Sequence, residues 1–285
     1  MKKHIKKRLN RTVGGDLTLF LFLLVGGLFM VLPLVFAIVT SFKPFNELWI
    51  FPPRFYVVNP TVKNYVDLFN IMSNSTIPFT RYIFNSIFVT GVGTFGQIIL
   101  ASMCAYPLAK REFPGKNLMF SMVVMALMFN TVVTSVPSYM IMSTIGWIDT
   151  LKAIVVPAFG SSLGLYLMKQ FMEGVPGSII EAAKIDGASE WRIFWRIVMP
   201  QVKPAWLTLM LFSVQSLWNM PPSTYIYTEK LKTLTYAMSQ LTTAGLARAG
   251  VGAAISVVMM AVPVTIFLIT QSNVIETMAT SGMKD

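Results

Sequence analysis

The sequence is poor in the residues from which most active sites are built. It has a single cysteine, Cys104, set inside an apolar run, and a single histidine, His4, set in a basic N-terminal stretch. One cysteine makes neither a disulfide framework nor a thiolate metal site. A lone histidine without clustered carboxylates leaves no visible metal-binding or nucleophilic set. Charge is scarce too: Asp, Glu, Lys and Arg make up only 12% of the 285 residues, about half the fraction usual in soluble domains. A phosphate-binding loop is also missing. Gly115-Lys116 is followed by Asn117 and lacks the earlier glycine, so the chain carries no signature for hydrolysing ATP.

What fills the sequence instead is hydrocarbon. Apolar residues make up 54% of the chain and mean hydropathy is +0.63, which is far too apolar for a soluble domain of this length. The composition is that of a membrane protein. A net charge of +11 would elsewhere suggest nucleic acid, but Lys2, Lys3, Lys6, Lys7, Arg8 and Arg11 crowd the first eleven positions. That is where a positive-inside topology signal belongs, and there is no case for a nucleic-acid partner.

Six apolar runs follow: Leu17–Phe42, Tyr82–Ala109, Leu118–Ile145, Ile154–Met168, Ala205–Tyr227 and Val251–Thr270. The first is longer than the apolar core of a signal peptide and no small-residue cleavage site follows it, so it reads as an uncleaved span. The expected fold is an all-α membrane protein with six transmembrane helices and both ends in the cytoplasm. The expected divisions are a basic tail at 1–16, a membrane domain at 17–275 with its core from 80, and a tail at 276–285. Loops 110–117 and 169–204 then lie inside. Inside segments hold 15 of the 23 Lys and Arg and outside segments 8, as positive-inside topology requires. Residues 43–80 form the longest outer loop, rich in proline and carrying Trp49, Phe51, Phe55, Tyr56 and Tyr65.

One inner segment, Ser178 to Pro200, breaks the apolar pattern with a dense run of acids, bases and aromatics. Ser178 stands three residues before Glu181, the spacing of a capping box, and predicts a helix start. Gly187 predicts its stop, since glycine enters the left-handed conformation without a Cβ clash. Ser189 and Glu190 read as a second start. Beyond them, Trp191, Phe194, Trp195 and Val198 recur at three and four on one face while Arg192 and Arg196 share another.

These residues carry a resemblance. Glu181-Ala182-Ala183, Gly187, Ile197 and Met199-Pro200 resemble the cytoplasmic EAA loop of permease subunits of bacterial ATP-binding-cassette importers, with Met199 where that family has leucine. An ordinary amphipathic hairpin on the membrane surface is the plainer alternative. Thr61 to Tyr65 resembles a stretch that precedes the second span in sugar-importer permeases, and the Gln271 to Asp285 tail is similar to the family's ending. Across the chain the resemblance is to the second permease subunit of carbohydrate importers, the maltose-permease type with the type I importer fold. It implies a coupling helix at 178–200, in which Glu181, Ala182, Ala183, Asp186, Gly187, Ile197 and Pro200 meet an ATPase. The implied partners are a homologous second permease subunit, two ATPase subunits and an external solute-binding protein, with membrane lipid around them. No cofactor is expected on this chain, since ATP and Mg would sit on the ATPase partners. Parts of the outer loops would receive the binding protein, with residues 231–235 reaching towards its cleft.

Polar residues inside the spans are the candidates for a transport path: Asn85 and Gln97 in the second span, and Gln215, Trp218 and Asn219 in the fifth. Bonds that hold the helix bundle together are the alternative use of such groups. The Trp218-Asn219 pair resembles a family pair that is usually followed by Asp, whereas Met220 follows here. No acid or base sits deep in any span, which argues against a proton- or sodium-coupled carrier. The expected function is therefore a non-enzymatic permease subunit for a sugar or oligosaccharide in the plasma membrane. Rivals are a same-fold permease for amino acids or peptides and a self-sufficient channel or secondary carrier.

Overall fold

Helix α1 (Val13–Ser41) is apolar around its whole circumference, and its residues from Gly14 to Val35 are exposed on every side. A helix of this kind has no aqueous face, so its solvent is lipid. The computed structural model describes residues 13–73, 77–129, 131–221, 224–242 and 248–281. The basic tail up to Arg11, residues 243–247 and the last four residues, Lys284 and Asp285 among them, lie outside the described residues. Among those described, every element is helical and none is a strand. The chain divides into two compact units, Met1–Phe69 with Gly245–Val257, and Asn70–Ala244 with Val258–Asp285.

In the first unit, α1 is followed by α2 (Phe45–Leu48) and the start of α3 (Lys63–Ser73). The segment between them is folded rather than a loose linker. The Glu47 carboxylate accepts from the backbone N–H of Val58 at 3.0 Å and of Asn59 at 2.9 Å, and Lys43 donates to the Arg54 carbonyl at 2.5 Å. Asn64 donates to the carbonyls of Ser41 and Lys43, both at 2.8 Å, and so ties α3 to the end of α1.

The second unit is built on α4 (Phe79–Lys110). After it come α5 (Lys116–Ala126), α6 (Thr131–Thr144), α7 (Lys152–Ala158), α8 (Ser162–Glu173), α9 (Gly177–Ile185) and α10 (Glu190–Ile193). A π-helical turn (Phe194–Val198) leads through α11 (Met199–Gln201) into α12 (Lys203–Trp218). A 3₁₀ turn (Glu229–Leu231) and α13 (Leu234–Thr242) precede α14 (Ala249–Ser281), which begins in the first unit and ends in the second. Helix α4 packs against α7, α8 and α12. Gly96 permits the closest of these approaches, because a Cβ on it would lie 2.2 Å from the Phe159 ring. A tight buried cluster gathers at the end of α4, where Ala101, Ala105 and Tyr106 meet Met168 and Met172 of α8 and Ala205 and Leu209 of α12.

The expected runs meet different fates. Gly14–Ser41, Phe79–Lys110 and Ala249–Gln271 are long and apolar enough to cross a bilayer, and the pair Glu190–Gln201 and Lys203–Trp218, bent by 78°, could count as a fourth crossing. The third run, by contrast, divides into α5 and α6, and the fourth into α7 and α8, with Pro157 and Gly160 at the second break. Hydropathy reads composition and is blind to such breaks, where proline removes a donor and glycine loosens the backbone. Helix α12 also stops at Trp218, earlier than the apolar run, just before Met220-Pro221. The boundaries placed at 16 and 275 both fall inside helices, α1 and α14.

Candidate functional site

The inner segment folds from local rules, with one change to the expected start. Pro176, not Ser178, caps α9, and no side-chain capping bond forms. Proline suits that place because it has no N–H to leave unpaired and its φ is preset, here −61°. Ser178 and Glu181 therefore sit within the helix without the capping box. The stop is as read. Gly187 has φ +75°, the Ala188 N–H bonds to the Ala183 carbonyl at 3.0 Å, and the Gly187 N–H bonds to Lys184 at 3.0 Å. This pair of bonds is the Schellman closure.

Burial sorts the residues of α9 into two faces. Ile180 and Ala183 point into the core, while Glu181, Ala182, Asp186 and Gly187 are exposed and Ile185 stands 87% exposed. Ala182 and Ala183, expected to act together, thus face opposite ways. Ala183 seats the helix on its own chain, and the Ala182 side is left open.

The second limb departs further from expectation. Ser189 does cap it, accepting from the Arg192 N–H at 3.3 Å. From Phe194 to Val198, however, the backbone widens into a π-turn. Ile193, Phe194, Val198 and Met199 are fully or nearly fully buried and Trp195 packs against them in part. Phe194 and Val198 keep the expected spacing of four, while Ile193 with Val198 and Phe194 with Met199 add pairs five apart. A π-turn bonds residue i to i+5 and so brings those positions onto one face. Pro200 follows directly, and in an unbroken α-helix its ring would strike the carbonyl four residues back. Trp191, expected on the packed face, is 61% exposed. Ile197 packs in part against the core and Pro200 is exposed. Beyond Val202 the chain bends by 78° into α12, where Pro204 sits in the first turn.

Charged groups lock this segment to α4. Glu190 accepts from the Tyr106 hydroxyl at 3.1 Å, pairs with Arg111 just past the end of α4, and lies 3.5 Å from Lys184 on α9. Partial desolvation raises the Glu190 pKa, but the Arg111 and Tyr106 hydrogen bonds and the nearby charges of Arg111 and Lys184 outweigh it, leaving the carboxyl below its ordinary value. Lys110 reaches the carbonyls of Glu173 at 3.0 Å and Val175 at 2.5 Å, the last residues before α9. Sequence reasoning placed loop 110–117 on the inner side and assigned its charges no partner. It missed these clasps because their members stand 63 to 84 residues apart.

The five path candidates do not converge. Asn85 is fully buried and donates to the carbonyls of Lys230 and Lys232, both at 2.9 Å, so it holds the segment between α12 and α13. Its neighbours reinforce that hold: Ser86 accepts from the Leu234 N–H at 2.7 Å and Tyr82 donates to Glu229 at 2.8 Å. Gln215 and Asn219 share an exposed face of α12, with Asn219 donating to the Gln215 carbonyl at 3.0 Å. Trp218 points to the other side, buried, its indole N–H on the Met259 carbonyl at 2.9 Å. Gln97 lines a cavity of about 580 Å³ that also involves α7, α8 and α12.

Comparison with known proteins fits this geometry. The model of the family described as "Binding-protein-dependent transport system inner membrane component" matches residues 97–278. Protein LplC of Bacillus subtilis (strain 168) is 35% identical over 209 residues, covering 72% of this chain and 67% of that protein. The polygalacturonan/rhamnogalacturonan transport system permease protein YtcP of the same organism is 29% identical over 212 residues, covering 74% and 72%. In fold, the chain is similar to one in the crystal structure of a bacterial ABC transporter involved in the import of the acidic polysaccharide alginate. That likeness has a TM-score of 0.77 at 19% identity and covers 93% of this chain and 99% of the other.

Proposed function

The chain belongs to the family of binding-protein-dependent transport system inner membrane components, and we propose that within it the chain serves as one of two permease subunits of a carbohydrate importer. It is a multi-pass protein of the plasma membrane. Six spans, two of them broken, place both termini and the 169–204 segment in the cytoplasm, in keeping with the excess of Lys and Arg in the inner segments. An external binding protein delivers the saccharide. Two ATPase subunits carry ATP and Mg²⁺, and their closure drives the pathway between outward- and inward-facing states.

One observation carries the coupling role. Helix α9 is pinned from behind by Ile180 and Ala183 and from the side by Glu190, and it offers Glu181, Ala182, Ile185 and Asp186 outward. A short rigid helix with a mixed apolar and acidic outer face suits a groove on another protein. Glu181, Ala182, Asp186 and Gly187 meet the ATPase, while Ala183 and Ile197 hold the helix in place and Pro200 turns the chain back to the membrane. Gln97 lines the route, and Gln215 and Asn219 offer it a polar face.

Reconstitution tests the whole reading. The chain with its second permease, ATPase subunits and binding protein in proteoliposomes takes up labelled saccharide only with ATP, and the chain alone takes up none. Specific uptake by the chain alone would make it a channel or secondary carrier, and uptake of amino acids or peptides in place of saccharides would move it to another branch of the family.

A further inference from the structure

The cavity beside Gln97 has a chemistry more specific than a passage. Its volume, about 580 Å³, lies within the roughly 300–1,000 Å³ of small-molecule sites. The walls are mainly apolar, with Pro157, Leu209 and Phe212 among them. Into this surface comes Gln97, a residue 8% exposed overall, whose side-chain amide makes no hydrogen bond among the described residues and is open to the cavity. An amide open to the cavity presents donors and an acceptor together, so a group with both capacities is its natural complement. Ser216, across on α12, adds a hydroxyl.

The outer rim of the cavity is aromatic and held in place. Tyr225 lines it and stacks on Tyr139 at 6.1 Å with the planes 14° apart. Asp149, at φ +58°, fixes the segment that carries Tyr225. Its N–H donates to the Tyr225 carbonyl at 2.7 Å, and its carboxylate accepts from the N–H groups of Tyr227 at 2.9 Å and Thr228 at 2.8 Å and from the Thr228 hydroxyl.

Just as informative is the charge. Among the described residues that line the cavity, none is Asp, Glu, Lys, Arg or His. A carboxylate placed there would lose water and meet no cation. A pyranose ring fits every term: an apolar face for Tyr225 and Phe212, and a hydroxyl edge for the Gln97 amide. We infer that this cavity is a saccharide subsite on this subunit, read by Gln97, and that it selects uncharged sugars over the uronic acids named for YtcP and for the alginate importer. The inference rests on the carbohydrate reading above and narrows it.

The test uses the complete importer in ATP-loaded proteoliposomes. The probes are labelled neutral trisaccharides of glucose, xylose, arabinose and galactose, set against trigalacturonate. At least one neutral probe is taken up and trigalacturonate is not. For that probe, Gln97→Leu and Gln97→Glu lower uptake at sub-saturating concentration tenfold or more, largely through KM. Ser216→Trp, which fills the cavity from an exposed position on α12, does the same. Co-purification of the ATPase subunits with each variant checks assembly, and Ser216→Trp reads the cavity if a Gln97 variant does not assemble. Neutral uptake undiminished by assembled variants sinks the subsite and leaves the carbohydrate reading standing, and preferential uptake of trigalacturonate sinks the selectivity. Uptake of amino acids or peptides with none of the saccharides overturns both readings together.

Discussion

Glu190 and Tyr106 meet at 3.1 Å across 84 residues of sequence, joining the first residue of α10 to the last turns of α4. With Arg111 and Lys184 completing the cluster, one carboxylate links α4, α9 and the limb that leads into α12. Its side chain is 47% exposed, so Glu190→Ala lowers thermal stability by only about 1 kcal/mol or less. Saccharide uptake per ATP hydrolysed falls severalfold more than that loss accounts for, because the link between α9 and α4 is loosened. Melting temperature and coupled uptake, measured on the same preparation, separate the two effects.

The same cluster sets a pH dependence. The Glu190 pKa is lowered on folding by the balance of contacts described above, so its contribution to stability is fully present above the ordinary glutamate range near pH 4.3. It is lost as pH falls through the depressed folded value. The melting-temperature gap between the natural protein and Glu190→Gln should therefore be constant from about pH 7 down to 5 and close below about pH 4. A gap that widened with acid would mean that the carboxylate is not held by these contacts.

At Gly187 the constraint is conformational. A Cβ there meets nothing within 4 Å, but φ is +75°, which is unfavourable for L side chains by ~1–2 kcal/mol. Gly187→Asn, a residue that tolerates the left-handed region, should keep more ATPase co-purification and uptake than Gly187→Ala, and Gly187→Val should keep least. An order that followed side-chain volume alone, with Ala above Asn, would point to crowding instead.

Gly96 is the opposite case, limited by space. Its missing Cβ lets the Phe159 ring approach to 2.2 Å of that position, so Gly96→Ala overpacks the contact of α4 with the break between α7 and α8 at about 1–3 kcal/mol. Gly96→Ala combined with Phe159→Ala should be more stable than the sum of the two single losses predicts. Thermal unfolding of the four proteins of this cycle gives the coupling directly.

How much of this was legible in the sequence depended on range. The helix end at Gly187 and the restart at Ser189 follow from grammar that acts over three or four residues, and both stand in the structure. The start did not: Pro176 won the cap because a residue without an N–H suits that position better than the serine two places on. The lipid-facing α1 was readable from composition alone. The breaks in the third and fourth apolar runs were not: hydropathy averages over Pro157 and Gly160 at the fourth, and residues 127–130 at the third carry no proline or glycine to mark it. Asn85 looked like a path residue because it is polar within an apolar run, but only the fold brings the Lys230 and Lys232 carbonyls to it. The expected face held for Phe194, Trp195 and Val198, which pack against the core, but the π-turn that adds Ile193 and Met199 to it was not legible, because a spacing of three and four presumes 3.6 residues per turn.

That widened turn amounts to one residue inserted into a helix without breaking it. Removing a single residue between Phe194 and Val198 would restore ordinary winding, because the wider turn takes up that residue locally, as a bulge inside the helix. The turn therefore works as a spacer that takes up one residue of length between α10 and α12 while the backbone on either side stays helical, and it seats Ile193 with Val198 and Phe194 with Met199 in the same core.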